Sequence, residues 1–223
     1  MFKIRGFADS DLGGDIWSAK STTGYWIEIL GAEGRIFPLS WTARHQGSTS
    51  THTCESETVA LNEAIKREII PLKILFEKLF NRKVEADLFE DNAACITSVQ
   101  KGYSPAMRYI GRTQKVHLGF LHDTCQVCTD DAGLAGNCGP AGVKAYTEEV
   151  DEDKPIKLKK VVTTEQKADI FTKDMDKIKF RQLSSMIGMR QKSTIQAAMV
   201  ALNLAAPKGV ATDTSNFTFE AVD

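Results

Sequence analysis

The sequence predicts an α/β domain in which one mixed sheet is covered by helices. Short apolar segments bounded by turn residues indicate three strands in a row, at residues 4–8, 25–30 and 35–42. A hairpin turn at residues 31–34 joins the second strand to the third, so this part of the sheet is antiparallel. From residue 53 the apolar period changes to that of a helix, and strands and helices then alternate. This order is typical of a sheet with helices packed on it.

The first long helical pattern runs over residues 53–80. Its apolar residues, among them Leu61 and Ile65, recur every three or four positions, as on the buried face of a helix. Pro71 lies inside the pattern, and we expect it to kink the helix or divide it in two, because proline lacks an N–H and clashes with the preceding turn. Glu57 lies one turn before Leu61, at the edge of the buried stripe.

The remaining chain adds two strands, several helices and one long irregular stretch. The predicted elements are a strand at 86–89, helices at 93–100 and 112–122, a strand at 156–162 and a helix that contains Asp169. Residues 125–155 are rich in glycine and end in an acidic run, which indicates a loop insertion. We assign residues 1–175 to the domain and residues 176–223 to a helical extension with a loose C-terminal tail.

Composition excludes several classes of protein. The net charge is −1, so any nucleic-acid contact must come from local basic clusters. No run of apolar residues is long enough for a membrane span, and the N-terminal residues lack the apolar core of a signal peptide. Five cysteines, an odd number, indicate free thiols and a reducing compartment, cytoplasmic or nuclear.

Four acids lie at the ends of predicted strands or on helices. Asp9 and Asp91 end two strands, Glu57 lies on the first long helix, and Asp169 lies on the last one. Clustered carboxylates repel one another, and divalent cations such as Mg²⁺ or Mn²⁺ keep them ionised. Two such ions ~4 Å apart would hold both oxygens of an in-line phosphoryl displacement. Because the chain has 29 acidic residues, four unrelated acids remain an alternative.

Six segments of the chain resemble the motifs of a known family. They read GFADSDLGGD (6–15), KSTTGY (20–25), SWTARHQ (40–46), ESETVALNEA (55–64), EDNAACI (90–96) and TEQKADIFTK (164–173). Each resembles a motif of the ribonuclease H domain in copia-type retrotransposon Pol polyproteins, and the order is also that of the family. Along the chain the glutamate, Glu57, is the second of the four acids. Integrases and transposases of similar fold have three such acids instead, and a glutamate is the last of them.

The resemblance implies a ribonuclease H-like fold, with a five-stranded mixed sheet of three antiparallel and then two parallel strands flanked by helices. It implies that Asp9, Glu57, Asp91 and Asp169 are the catalytic and metal-binding acids, with two Mg²⁺ or Mn²⁺ ions as cofactors. The implied activity is an endonuclease that cuts the RNA strand of RNA/DNA hybrids, leaving a 3′-hydroxyl and a 5′-phosphate. The implied partners are the hybrid and an upstream reverse transcriptase domain, in the cytoplasmic virus-like particle of the parent element.

Four further residues are predicted to bind the substrate. Ser10 and Asn92 follow two of the acids directly, and Arg112 and Lys115 offer positive charge near two tyrosines. Hybrids are recognised by backbone shape and 2′-hydroxyls, for which cations and hydroxyl groups are suited. For Arg112 and Lys115, a solvated helix face is the alternative interpretation.

Some residues depart from the family motifs. Glu90 adds an acid beside Asp91, Leu12 replaces the usual tryptophan, and His117 stands in place of an acid. None of these changes removes a predicted metal ligand. A catalytically decayed retroelement remnant, which keeps the fold and at most binds nucleic acid, is the alternative to an active nuclease.

A third hypothesis is a zinc or thiol interaction module within residues 117–138. Its residues would be His117, His122, Cys125, Cys128 and Cys138. The Cys-x-x-Cys pair is typical of zinc sites, but a second pair is missing and the two histidines lie on different faces of a helix. Incidental thiols in a loop are the simpler interpretation.

Overall fold

The computed structural model describes residues 2–128 and 154–189, and in them six strands form one mixed sheet. The strands are β1 (Lys3–Asp11), β2 (Thr22–Leu30), β3 (Ile36–His45), β4 (Ala86–Glu90), β5 (Cys125–Cys128) and β6 (Ile156–Lys160). Their order across the sheet is β3-β2-β1-β4-β6-β5. The pairs β1–β2 and β2–β3 are antiparallel, whereas β1–β4, β4–β6 and β5–β6 are parallel.

This is the predicted mixed sheet of three antiparallel strands followed by parallel strands and flanked by helices, with one strand more than expected. The additional strand, β5, lies where the sequence analysis placed the start of the loop insertion at 125–155. Four residues are too few to show a period, and only their pairing with β6, from Cys125 opposite Ile156, makes them a strand. The remaining part of the insertion, 129–153, and the tail after residue 189 lie outside the described residues.

Six α-helices lie in the described residues. They are α1 (Thr53–Ala64), α2 (Ile70–Phe80), α3 (Ala93–Lys101), α4 (Ile110–Thr113), α5 (Leu118–Thr124) and α6 (Lys177–Met186). A π-helical turn, Ile65–Ile69, separates α1 from α2, and Pro71 lies in the first turn of α2. The interruption expected from Pro71 is present as this π-helical turn, and the backbone stays helical through it, with the Ile70 N–H bonded to the Ile65 carbonyl.

Three predictions about elements near the predicted acids or substrate-binding residues were wrong. β1 continues to Asp11 opposite Thr22, so Asp9 lies within the strand instead of at its end. The helix expected at 112–122 is divided into α4 and α5, with Lys115 between them at a φ of 59°. Asp169 lies on a 3-10 helix, Lys167–Phe171, and not on an α-helix. The end of β1 depends on pairing across the sheet, and the separation of α4 from α5 depends on the left-handed backbone conformation of Lys115. Neither feature leaves a pattern in the local sequence.

Both faces of the sheet are covered. On one face α1, the π turn, α3 and α5 enclose the larger core, whose fully buried residues include Ile4, Ile27 and Leu61. The opposite face carries a smaller cluster that the 3-10 helix covers: Phe7, Trp26, Phe89, Val161, Ala168 and Ile187. Residues up to Gly188 belong to one compact unit. Among the described helices none has the length and apolarity to cross a bilayer.

β3 forms one margin of the sheet in the described residues, and its pairing with β2 is interrupted. Pro38 lies opposite Glu28, and the register shifts between Ile27 and Glu28. Phe37 and Trp41 on this strand are exposed, by 64% and 59%. A proline and an irregular register are both typical of marginal strands.

Candidate metal centre

Two of the predicted acids meet because β1 and β4 are parallel neighbours. Phe7 lies opposite Phe89, so Asp9 and Asp91 each follow two residues later in the same direction. Glu57 approaches from the first turns of α1, which packs on β1. Each of the three side chains offers a carboxylate oxygen, and these oxygens lie within 4.8 Å of one another. The structure thus brings three of the four predicted acids together.

The start of α1 is fixed to the sheet by hydrogen bonds on either side of Glu57. His52 caps the helix by accepting from the backbone N–H of Glu55, at 3.2 Å. The Ser10 hydroxyl on β1 donates to the Ser56 hydroxyl at 2.8 Å. The Gln46 side chain, which follows β3, donates to the Ser56 carbonyl at 2.9 Å. With its neighbours held in this way, Glu57 has little freedom to leave the other acids.

Two carboxylates of this centre, Asp9 and Glu57, are buried and the third, Asp91, is half-buried, without enough positive charge around them. Glu57 is 3% exposed, and its Oε2 atom has no hydrogen-bond partner. Burial raises the pKa of Glu57 to about 9, with repulsion from Asp9 and Asp91 acting in the same direction. Burial also raises the pKa of Asp9, to about 6, against the attraction of a nearby lysine. The arrangement has the donor set and the unmet charge that suit a hard divalent cation such as Mg²⁺.

Glu90 is a fifth acid beside this group. It is fully buried, and its Oε1 accepts from the backbone N–H of Asn92 at 3.1 Å, whereas its Oε2 has no partner. Burial, followed by repulsion from Glu57, raises the pKa of Glu90 well above its ordinary range. This direction favours the protonated form of Glu90, which would add no charge to the centre.

Asp169 lies beside Asp9 but outside the three-acid group. It is completely buried, and each of its oxygens accepts from a lysine: Oδ1 from Lys173 at 2.7 Å and Oδ2 from Lys179 at 2.6 Å. Lys173 also donates to Asp9 Oδ1 at 2.8 Å, and the Thr172 hydroxyl donates to Asp9 Oδ2. Burial disfavours the charge on Lys173, but the attraction of Asp9 prevails and raises its pKa above the ordinary range.

Sequence reasoning missed Thr172, Lys173 and Lys179. The first two end the TEQKADIFTK segment, and Lys173 lies four residues after Asp169, the spacing at which helical side chains meet. That spacing was an available signal for Lys173. For Lys179, ten residues after Asp169, there was none.

Contacts with β1 and β2 fix the segment that carries Asp169. Gln166 donates to the Ala8 carbonyl at 2.8 Å, and Lys167 donates to Glu28 at 2.7 Å. Gly24, directly opposite Asp9, leaves the space that the segment occupies. A Cβ atom at Gly24 would lie 2.5 Å from Thr172 Cγ2. The glycine of the KSTTGY segment is therefore required by close approach of the 3-10 helix.

The four residues predicted to bind substrate differ in exposure. Ser10 is 2% exposed and bonded to α1, so its side chain lies inside the support of the centre. Asn92 caps α3, its Oδ1 accepting from two backbone N–H groups at 3.0 Å. Arg112 and Lys115 are exposed between α3 and α5. Contact of any of the four with a substrate stays a prediction.

The histidines and cysteines do not form a comparable group within the described residues. Cys125 is 2% exposed in the core, and His122 Nδ1 lies 3.3 Å from the Val99 carbonyl. Cys138 lies outside the described residues. In the part of the chain that the structure describes, Asp9, Glu57 and Asp91 are the group that could hold a metal ion.

Comparisons with known proteins agree with the motifs. The chain matches no protein-family model. It is 25% identical over 186 residues to a retrovirus-related Pol polyprotein from transposon TNT 1-94 of Nicotiana tabacum, covering 83% of the chain and 11% of that relative. It is 31% identical over 67 residues to secreted RxLR effector protein 161 of Plasmopara viticola, covering 30% of the chain and 44% of that relative.

The alignment with a solved structure, LC11-RNase H1 isolated from compost, covers 48% of the chain and 69% of LC11-RNase H1. The sequence identity is 21% and the TM-score is 0.33. The chain spans about a tenth of the length of the tobacco Pol polyprotein. Over most of its own length the chain is similar to a retrotransposon Pol polyprotein, as its six motifs predict.

Proposed function

We propose that the domain is a divalent-metal-dependent endonuclease that cuts the RNA strand of RNA/DNA hybrids. One observation carries the proposal: the carboxylate oxygens of Asp9, Glu57 and Asp91 lie within 4.8 Å of one another, near the carboxyl ends of the neighbouring parallel strands β1 and β4. The unpartnered, buried Oε2 of Glu57 adds an unmet demand for a cation at the same place. Similarity to a Pol polyprotein supports a role in the reverse transcription of a retroelement.

The protein residues divide into those that hold the cation and those that hold its ligands. Asp9, Glu57 and Asp91 would bind the cation, which when bound supplies Lewis-acid stabilisation of the phosphoryl oxygens. Ser56 and Gln46 fix the start of α1, so that Glu57 needs little reorganisation when the cation arrives. Burial excludes water from the Asp9 and Glu57 carboxylates and strengthens their attraction for positive charge.

Substrate contacts would come from half-buried Asn92 and from the exposed side chains of Arg112 and Lys115. Asn92 follows Asp91 directly, and Arg112 and Lys115 carry the positive charge that phosphate groups require. Recognition through phosphates and 2′-hydroxyls would select the shape of a hybrid without reading its sequence. We also propose that the hybrid is supplied by a reverse transcriptase domain of the same polyprotein, in the cytoplasm or the nucleus.

A cleavage assay tests the proposal. The protein is incubated with RNA/DNA hybrid labelled on the RNA strand, with Mg²⁺ or with a chelator, and double-stranded DNA and double-stranded RNA serve as controls. We expect cleavage of the RNA strand of the hybrid only, and only with the metal. Hybrid binding without cleavage would instead support the decayed remnant, and Mg²⁺-independent cleavage would contradict the proposed centre.

A further inference from the structure

Lys173 joins Asp9 and Asp169, two of the four acids that the family resemblance implies are metal-binding. Its ammonium lies 2.8 Å from Asp9 Oδ1 and 2.7 Å from Asp169 Oδ1. Asp9 and Asp169 are both completely buried. A single positive charge thus lies between the two carboxylates that a second divalent cation would have to share.

The acids of the site are satisfied unequally. Both oxygens of Asp169 accept from ammonium groups, and both oxygens of Asp9 accept from Lys173 or Thr172. By contrast, Glu57 Oε2 is buried without a partner. The unmet demand for a cation therefore lies on the Glu57 side of Asp9, and the Asp169 side is already neutralised.

Charge balance leads to the same conclusion. The four predicted acids carry four negative charges when ionised, and Lys173 and Lys179 return two positive charges. One divalent cation balances the remainder. A second one would leave two excess positive charges while both lysines stay in place, and removal of Lys173 would reduce that excess to one. Buried charges are stable only when they are paired.

We propose that the Lys173 ammonium takes the place of a second divalent cation, so that the protein binds one ion, at Asp9, Glu57 and Asp91. The inference rests on the proposed metal centre and departs from the two ions implied by the family resemblance. An ammonium has three N–H donors, and Lys173 uses two of them on Asp9 and Asp169. The third is available for a phosphate oxygen, the group that the second cation would otherwise contact.

Titration calorimetry with Mn²⁺ on the full chain tests the inference without any activity measurement. The parent should bind one ion per chain, and Lys173→Met should bind two, because Asp9 and Asp169 then lose their shared ammonium. In Lys173→Met, electron paramagnetic resonance should show the coupling of a Mn²⁺ pair ~4 Å apart. The parent should show isolated ions.

Two control variants separate the position of Lys173 from its charge. Lys177→Met removes an exposed lysine of α6 and should leave the count at one. Lys173→Met combined with Asp169→Asn removes the carboxylate as well as the ammonium, and should also bind one ion. If Lys173→Met fails to fold, as judged by circular dichroism, the number of Mn²⁺ ions that the parent binds still tests the inference.

A parent that binds two ions overturns this inference and leaves the proposed nuclease standing. A Lys173→Met variant that is folded and still binds one ion also overturns it. A parent that binds none contradicts the metal centre itself, and the proposed function with it.

Discussion

Lys167 donates to both carboxylate oxygens of Glu28, at 2.9 and 2.7 Å, across 139 residues of sequence. Glu28 is fully buried and also accepts from Arg5 and from the Trp26 indole. Burial lowers the pKa of Lys167, and the Glu28 carboxylate opposes that effect. Since Lys167 begins the 3-10 helix that carries Asp169, this ion pair connects the late segment of the chain to the second strand.

Glu28→Gln should lower the free energy of unfolding by ~3–5 kcal/mol, because it leaves the buried Lys167 ammonium without its counter-charge. The double variant Glu28→Gln/Lys167→Met should lose less than the sum of the two single variants, by ~0.5–3 kcal/mol, as expected for directly coupled residues. Urea unfolding at neutral pH measures both. Lys3→Met is the control, because Lys3 is 31% exposed and its buried partner Asp87 keeps Lys159 at 3.2 Å, so the loss should be at most ~1 kcal/mol. Additive losses would contradict a direct pair.

The metal-free protein should become less stable as the pH rises. The pKa of Glu57 is about 9 in the folded chain and 4.5 ordinarily, so the folded state favours the protonated acid. The stabilisation of the folded state by protonated Glu57 is fully present below pH 4.5. It is lost as the pH rises towards 9, by at most ~1.4 kcal/mol per pH unit. Urea midpoints between pH 6 and 9 in a chelator, compared with Glu57→Gln, measure this loss. Glu57→Gln should flatten the dependence, and so should Mg²⁺, which stabilises the ionised form. A parent slope that neither change reduces would show that Glu57 is not the titrating group.

Asp91→Asn should separate activity from stability. It removes one charge from the acidic cluster, so the metal-free protein should keep its stability or gain ~0.5–2 kcal/mol. Metal binding should weaken, and hybrid cleavage should fall at least ~10²-fold, because charge stabilisation in the transition state is lost. Asp123→Asn, at an exposed position on α5, should change neither property. Cleavage by Asp91→Asn at the rate of the parent, with unchanged Mg²⁺ dependence, would rule out the proposed role.

Gly24→Ala should displace the 3-10 helix from the sheet. The added methyl group would meet Thr172 Cγ2 at 2.5 Å and the Ala168 carbonyl at 3.2 Å, and overpacking of this kind costs ~1–3 kcal/mol. Thr172 and Lys173 would move with the segment, so hybrid cleavage should fall as well. Gly47→Ala has open space around its methyl group and serves as the control. Equal unfolding free energies and equal cleavage rates for the two variants would contradict the close packing at Gly24.

The sequence predicts the fold where local pattern and motif agree. The three antiparallel strands, the interruption of the long helix just before Pro71 and the approach of Asp9, Glu57 and Asp91 all follow from residues that lie in recognisable segments. Asp91 illustrates this well, because a short strand followed by an acid is visible in the sequence, and parallel pairing with β1 brings that acid to Asp9.

Contacts between distant parts of the chain could not be predicted in this way. β5 is a strand only because Ile156, 31 positions later, pairs with Cys125. Glu28 and Lys167 both look like ordinary surface residues in the sequence, since nothing local indicates that each buries the other's charge. Lys179 reaches Asp169 through the packing of α6, which no motif marks.

The interruption of β3 at Pro38 bears on how the protein behaves at high concentration. A marginal strand with exposed apolar side chains, here Phe37 and Trp41, is the usual template for edge-to-edge aggregation of identical chains. Proline has no N–H to offer an incoming strand, and the shifted register opposite Glu28 breaks the regular spacing that such a strand would need. A second copy of the chain would therefore meet an incomplete hydrogen-bonding ladder at Pro38, which disfavours edge-to-edge pairing through β3.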